Sequence, residues 1–134
     1  MLPLLAVLAL AAEGVVLKGL EVSVASVERS KNVSLQDCPP GDNIVRGVIR
    51  PVEENEFVTI RIDVKVLPSF EAAELSKPVL VDEAGKEFKT AQAFGVLNAS
   101  PAYSCSFSFR VPMGTKVSRF TIEEASFDVA SLEK

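Results

Sequence analysis

The sequence predicts an all-β fold, an immunoglobulin-like antiparallel β-sandwich of about seven strands. Three observations carry this expectation. Beyond Ala12, Val and Ile outnumber Leu by 23 to 8, and β-branched side chains pack best on a pleated surface. Two long segments alternate apolar and polar residues with a period of two, as half-buried strands do. Turn residues recur at fairly regular spacing with no helical segments alternating between them, which favours an antiparallel sandwich over a parallel sheet.

The chain opens on an apolar run. Residues 1–12 carry no charge, so all 14 basic and 18 acidic residues lie beyond them. Twelve residues fall short of the roughly 20 needed to span a bilayer as a helix. A run of this length ending in Ala9-Leu10-Ala11 fits the apolar core and small-residue cleavage site of a secretory signal peptide. No Lys or Arg follows Met1, and no Cys follows the run, which disfavours lipid anchoring. The expected division is therefore a signal peptide at 1–12 and one sandwich domain at 13–134. The competing reading is an apolar helix or strand that packs onto the domain.

The first strand is expected from Leu20 to about residue 29, with Leu20, Val22 and Val24 alternating against Glu21 and Ser23. Residues 44–49 read as a short strand. Over 57–67, Val58, Ile60, Ile62, Val64 and Val66 face one way; Thr59, Arg61, Asp63 and Lys65 face the other, and Pro68 stops the run. Residues 69–76, SFEAAELS, carry the one helical suggestion. Residues 79–81 and 86–90 flank Asp82-Glu83-Ala84-Gly85, a hairpin signal with Gly available for positive φ. Over 103–111, Tyr103, Cys105, Phe107, Phe109 and Val111 share a face, and Pro112-Met113-Gly114-Thr115 reads as a turn. The last strand is expected over 118–129. Phe120 and Ile122 are even while Phe127 and Val129 are odd, so a β-bulge near Glu124-Ala125-Ser126 is expected to restore the facing.

Composition excludes most chemistry. With no His there is no Ser-His-Asp triad, no Cys-His pair and no imidazole metal ligand. Two Cys cannot complete a four-ligand zinc site. A formal net charge of -4 argues against nucleic-acid binding. Neither GxxxxGK nor GxGxxG occurs, so no phosphate-binding loop is expected. The acidic residues form small groups: Glu53, Glu54 and Glu56; Asp82 and Glu83; Glu123 and Glu124; and Asp37, Asp42 and Asn43. None has the closed spacing that calcium needs, and a solvated surface is the expected reading. A pair of carboxylates for sugar hydrolysis wants an aromatic-lined cleft, which a chain with no Trp and one Tyr does not favour.

Cys38 and Cys105 are the expected disulfide if the chain is exported, since an even Cys count in an oxidising compartment suggests pairing. A buried free thiol at Cys105 is the alternative. Tyr103 stands two residues before Cys105, as in true immunoglobulin domains. Cys38 lies in a loop-like stretch and the core Trp is absent, so an antibody-type domain is not expected. Asn32-Val33-Ser34 and Asn98-Ala99-Ser100 match the glycosylation sequon, relevant only in a eukaryotic host.

The stretches 57–64, 79–88 and 107–112, with 23–28 as an opening strand, resemble a bacterial family. The chain is similar to the exported immunoglobulin-like domains of unknown function grouped with telokin-like folds and the mycobacterial secreted immunogen. Leu80, Asp82, Gly85, Lys86 and Phe88 match its "L-x-D-x-x-G-K-x-[YF]" hairpin, and Phe109-Arg110-Val111-Pro112 its "F-x-V-P". The resemblance spans about residues 20–130 and implies a fold and an exported location, without catalytic residues. The expected function is non-catalytic protein binding or adhesion at the cell envelope or in the medium, through loops or an exposed strand edge. No cofactor, nucleic acid or stable membrane span is expected. The alternative is a small-ligand carrier or inhibitor-type module with a pocket between the sheets.

Overall fold

Apolar side chains at every second position can be buried together only if their strands stack face to face. The computed structural model describes residues 14–34, 38, 48–49, 54–71, 73–96 and 101–132. Twelve strands run through them: β1 (Val15–Leu17), β2 (Leu20–Ser30), β3 (Val33–Ser34), β4 (Val48–Ile49), β5 (Asn55–Val66), β6 (Ala73–Leu75), β7 (Val79–Asp82), β8 (Glu87–Lys89), β9 (Phe94–Val96), β10 (Ala102–Pro112), β11 (Val117–Ile122) and β12 (Ala125–Asp128), followed by a 3-10 turn at Ala130–Leu132. One antiparallel sheet has the order β1-β2-β5-β10 and the other β12-β11-β7-β8; β3-β4 and β6-β9 form two small ladders. The protein is an antiparallel β-sandwich.

The core lies where the alternation predicts. Val58, Ile60, Ile62 and Val64 of β5, side by side with Phe107, Phe109 and Val111 of β10, pack with Leu80, Phe120, Ile122 and Phe127 of the second sheet in one core. β5 and β10 pair along eleven positions, from Ala102↔Lys65 to Pro112↔Asn55. At 25 cal/mol per Å², each fully buried Phe or Ile contributes about 1.5–3 kcal/mol.

Short-range chemistry sets the turns. Lys18 and Gly19 join β1 to β2 with φ of 50° and 85°, the sign that a tight hairpin turn requires at both central positions. A Cβ on Gly19 would overlap the Phe70 backbone, and the Gly19 carbonyl accepts the Leu67 amide at 2.9 Å. The β7–β8 hairpin forms as expected. Asp82 Oδ1 accepts the amides of Ala84 and Lys86 at 2.9 and 2.8 Å, and Gly85 takes φ 88°.

Two local expectations are corrected. Residues 69–76 hold no helix among the described residues; β6 pairs there with β9, Leu75 opposite Phe94. Leu75 is buried, and two turns of helix are not stable alone, so tertiary pairing outweighs the local preference. The last strand is not one bulged strand. Glu123 and Glu124 form a two-residue turn between β11 and β12, with Ile122 opposite Ala125 and Glu123 at φ 53°. That division, and the addition of β1, gives eight strands in the two main sheets. Bulges occur instead at Ala25, between Val24 and Ser26 in the β2–β5 register, and between Val117 and Arg119 in β11 against β7. Of the expected strand at 44–49, only β4 at Val48–Ile49 is described. The expected leader at 1–12 lies outside the described residues.

Candidate functional site

The acidic groups do not converge. Glu53, Asp37, Asp42, Asn43 and the Asn98 sequon lie outside the described residues. Glu54 is exposed in the turn before β5 with φ 70°. Asp82 closes its own hairpin, and Glu123 Oε2 accepts the Ser76 amide at 2.6 Å, which lowers the Glu123 pKa. Among the described residues no group of three or more His, Cys, Asp or Glu is placed to hold a metal ion.

Glu56 has a structural task. Its Oε2 lies 2.6 Å from Arg29 Nη1 and accepts the Gly114 amide at 3.1 Å, while Arg29 Nη2 donates to the Thr115 carbonyl. The β10–β11 connection, which carries the chain from one sheet to the other, is clamped to β2 and β5 by this pair. Burial pushes the Glu56 carboxyl up, but the Gly114 amide, the Arg29 guanidinium and the charge of Lys31 together leave its pKa below 4.5. A carboxyl with a depressed folded pKa contributes stability above its unfolded value and loses it as pH falls through the folded value. Urea unfolding of wild type and Glu56→Gln should therefore differ most at neutral pH, with the difference shrinking progressively below pH 4.5. A difference that does not change over that range would refute the clamp.

Cys38 and Cys105 are joined by a disulfide, Cα atoms 5.7 Å apart. Cys38 also forms an isolated parallel bridge with Phe94, its amide donating to the Ala93 carbonyl at 2.9 Å. The disulfide thus ties the 38 region to the middle of β10. Tyr103, on the same face of β10, has a buried hydroxyl with no hydrogen-bond partner among the described residues. A tyrosine corner would bond that hydroxyl to backbone, so Tyr103 does not serve as one here. Burial pushes its pKa from 10.0 to about 12. Tyr103 is the only Tyr and the chain has no Trp, so ultraviolet absorbance reads this phenol alone. Half-ionisation is expected near pH 12 folded and near 10 in urea. The stability Tyr103 contributes is full below pH 10 and fades as pH rises towards 12. Ionisation near 10 in the folded protein would contradict this.

Gln92 was not anticipated from sequence. Its side-chain amide donates from Nε2 to the Ser106 carbonyl at 2.6 Å and accepts the Ser108 amide on Oε1 at 2.7 Å. Gln92 is 2% exposed. It therefore bonds to the outer edge of β10 as one peptide unit of a further strand would.

The opposite edge of the same sheet differs. β1 pairs with β2 only from Leu20 to Val22, so residues 23–28 of β2 have no strand on that side among the described residues. Alongside runs a groove of about 810 Å³, lined by Ala25, Ser26, Val27, Glu28 and Arg29 and walled by Ser131 and Leu132 of the 3-10 turn. A second groove of about 420 Å³ lies over Glu21, Ser23, Asp63, Lys65 and Ser104, with Ser104 Oγ donating to Asp63 Oδ1 at 2.6 Å. The parity signal for the β2 edge was present in sequence, since Val24 and Val27 cannot share a face without the Ala25 bulge.

No family model matches the chain, and no curated protein matches it. Among solved structures it is similar to an uncharacterized β-sandwich protein from Clostridium difficile 630, at 14% identity and a TM-score of 0.52, covering 87% of each chain. The likeness extends over the fold. Among the described residues, no helix is long and apolar enough to cross a membrane.

Proposed function

We propose that this chain is an exported, non-catalytic module of the immunoglobulin-like, telokin-like kind, related to the mycobacterial secreted immunogen, which binds another protein at the cell envelope or in the medium. The observation that carries the reading is the edge of β2 that no described strand covers, beside its groove, against a background of polar side chains engaged in turns and clamps. Exposed strand edges are templates for protein pairing and are usually blunted. The disulfide supports export, since such bonds persist in oxidising compartments.

The test has two arms. Sequencing the extracellular protein should find a mature N-terminus close to Glu13; an intact Met1 there would refute cleavage. The domain, used as bait on its own cell envelope, should capture a protein that then binds it saturably when purified. The groove over Glu21, Asp63 and Lys65, on the outer face of the sheet where the alternative expected a pocket between the sheets, favours a second reading, a carrier of a small polar ligand. A saturable thermal shift of several degrees with a metabolite, and no captured protein, would establish that reading in place of the first.

A further inference from the structure

We propose that residues 23–28 of β2 take up an extended segment of a partner protein as an added strand, with a Lys or Arg of that segment set against Glu28. The inference rests on the protein-binding reading above and narrows it to one edge and one partner chemistry.

The geometry is that of an unfinished sheet. β2 is eleven residues long, and β1 covers only its first three positions. Among the described residues no strand lies beside the next six positions, about 20 Å at 3.3 Å per residue. There Val24 and Val27 direct their backbone groups outward while Ser26 and Glu28 direct theirs to β5. Side chains here do little to shield it: Ala25 and Ser26 are small, and Ala25 is exposed. The groove gives an added strand a second wall, because Leu132 stands across from β2 and is 36% exposed. The bulge at Ala25 sets the facing beyond it. Val27 turns inward opposite Ile60, and Glu28 turns outward opposite Thr59.

Charge selects the partner. Arg29 is held by Glu56 and the Thr115 carbonyl, so Glu28 is the charge the groove presents. Glu28 is exposed and has no ion-pair partner among the described residues. A strand lying here alternates its side chains, one face towards Leu132 and Val27 and the other beside Glu28. An apolar residue followed by a basic one satisfies both.

A second copy of the chain fits poorly. Two-fold antiparallel pairing of residues 23–28 with themselves sets Ser23 against Glu28. It then drives Arg29 and Ser30 of each copy against Val22 and Glu21 of the other, where β1 already sits. A partner segment that stops at Val24, clear of Gly14, meets no such obstacle.

The experiment is a titration of the ¹⁵N-labelled full chain with the synthetic peptide acetyl-Thr-Val-Lys-Val-Thr-Val-amide and its counterpart with Glu for Lys. The basic peptide should move resonances of residues 23–28 and Leu132 and slow exchange of alternate amides along that edge. Glu28→Lys should weaken the basic peptide about threefold to fivefold and favour the acidic one. Val27→Pro, which removes an outward-directed amide, if folded, should abolish both. Shifts elsewhere, or equal binding of both peptides to wild type and Glu28→Lys, would overturn the proposal. So would protection of those amides before any peptide is added, or a concentration-dependent dimer lost in Glu28→Lys, which would assign the edge to the chain itself. A captured envelope protein that still binds Glu28→Lys and Val27→Pro would refute this edge while leaving the protein-binding reading intact.

Discussion

Phe120→Ala should lower unfolding free energy by about 3–5 kcal/mol, the largest expected loss at any single side chain. Phe120 is fully buried on β11, with ring centroids 6.3, 6.1 and 6.2 Å from Phe107, Phe109 and Phe127. It carries aromatic contacts from the second sheet to both Phe107 and Phe109 of the first. Truncation removes its transfer energy, leaves a cavity between rigid sheets and forfeits three aromatic contacts. Against a total of roughly 5–15 kcal/mol, that is enough to bring the domain close to unfolding. Phe120→Leu keeps much of the volume and should cost about 1.5 kcal/mol or less. Urea unfolding followed by circular dichroism checks both values. A loss under about 1 kcal/mol for the alanine variant would mean that the sheets do not meet here.

Removing the Cys38–Cys105 disulfide should cost about 4 kcal/mol on the chain-entropy model, for a sequence separation of 67. The reasoning concerns the unfolded chain, which gains the freedom of a long open loop. The folded state also loses the tie between Cys38 and β10, while the bridge of Cys38 to Phe94 remains. Unfolding with and without a reductant, alongside Cys38→Ala/Cys105→Ala, measures the effect. Coincident transitions would show that the bond does not restrain the unfolded ensemble. The two losses are expected to couple, because Phe107 touches both Phe94 and Phe120, at 5.5 and 6.3 Å.

How much of this was legible depends on range. β5 and β10 were readable because eleven consecutive residues alternate and each strand has one buried face. The β7–β8 hairpin was readable because Asp82 and Gly85 are the residues its turn demands. The Glu123–Glu124 turn was not, for a geometric reason. A two-residue reversal pairs even with odd positions, as Phe120 with Phe127, and a bulge gives the same slip in parity. Only a Gly, Asn or Asp would have told them apart, and two Glu stand there instead. Glu123 takes a positive φ that is uncommon for residues other than Gly, Asn and Asp, and its carboxylate accepts the Ser76 amide. Residues 69–76 misled because what fixes Leu75 is Phe94, nineteen positions away in the chain. For the candidate site, the apolar parity of β2 was visible, but the shortness of β1 and the nearness of Leu132 are facts of packing.

The Gln92 amide has one further consequence, for assembly. A sheet with two exposed margins can add copies at both and grow without limit, the route to filaments. Here one side chain occupies the middle of the β10 margin through Ser106 and Ser108, where an incoming strand would need that same carbonyl and amide. A copy arriving there must first displace Gln92, so this margin resists stacking. Gln92→Ala would unseal it, and the species to look for is a polymer.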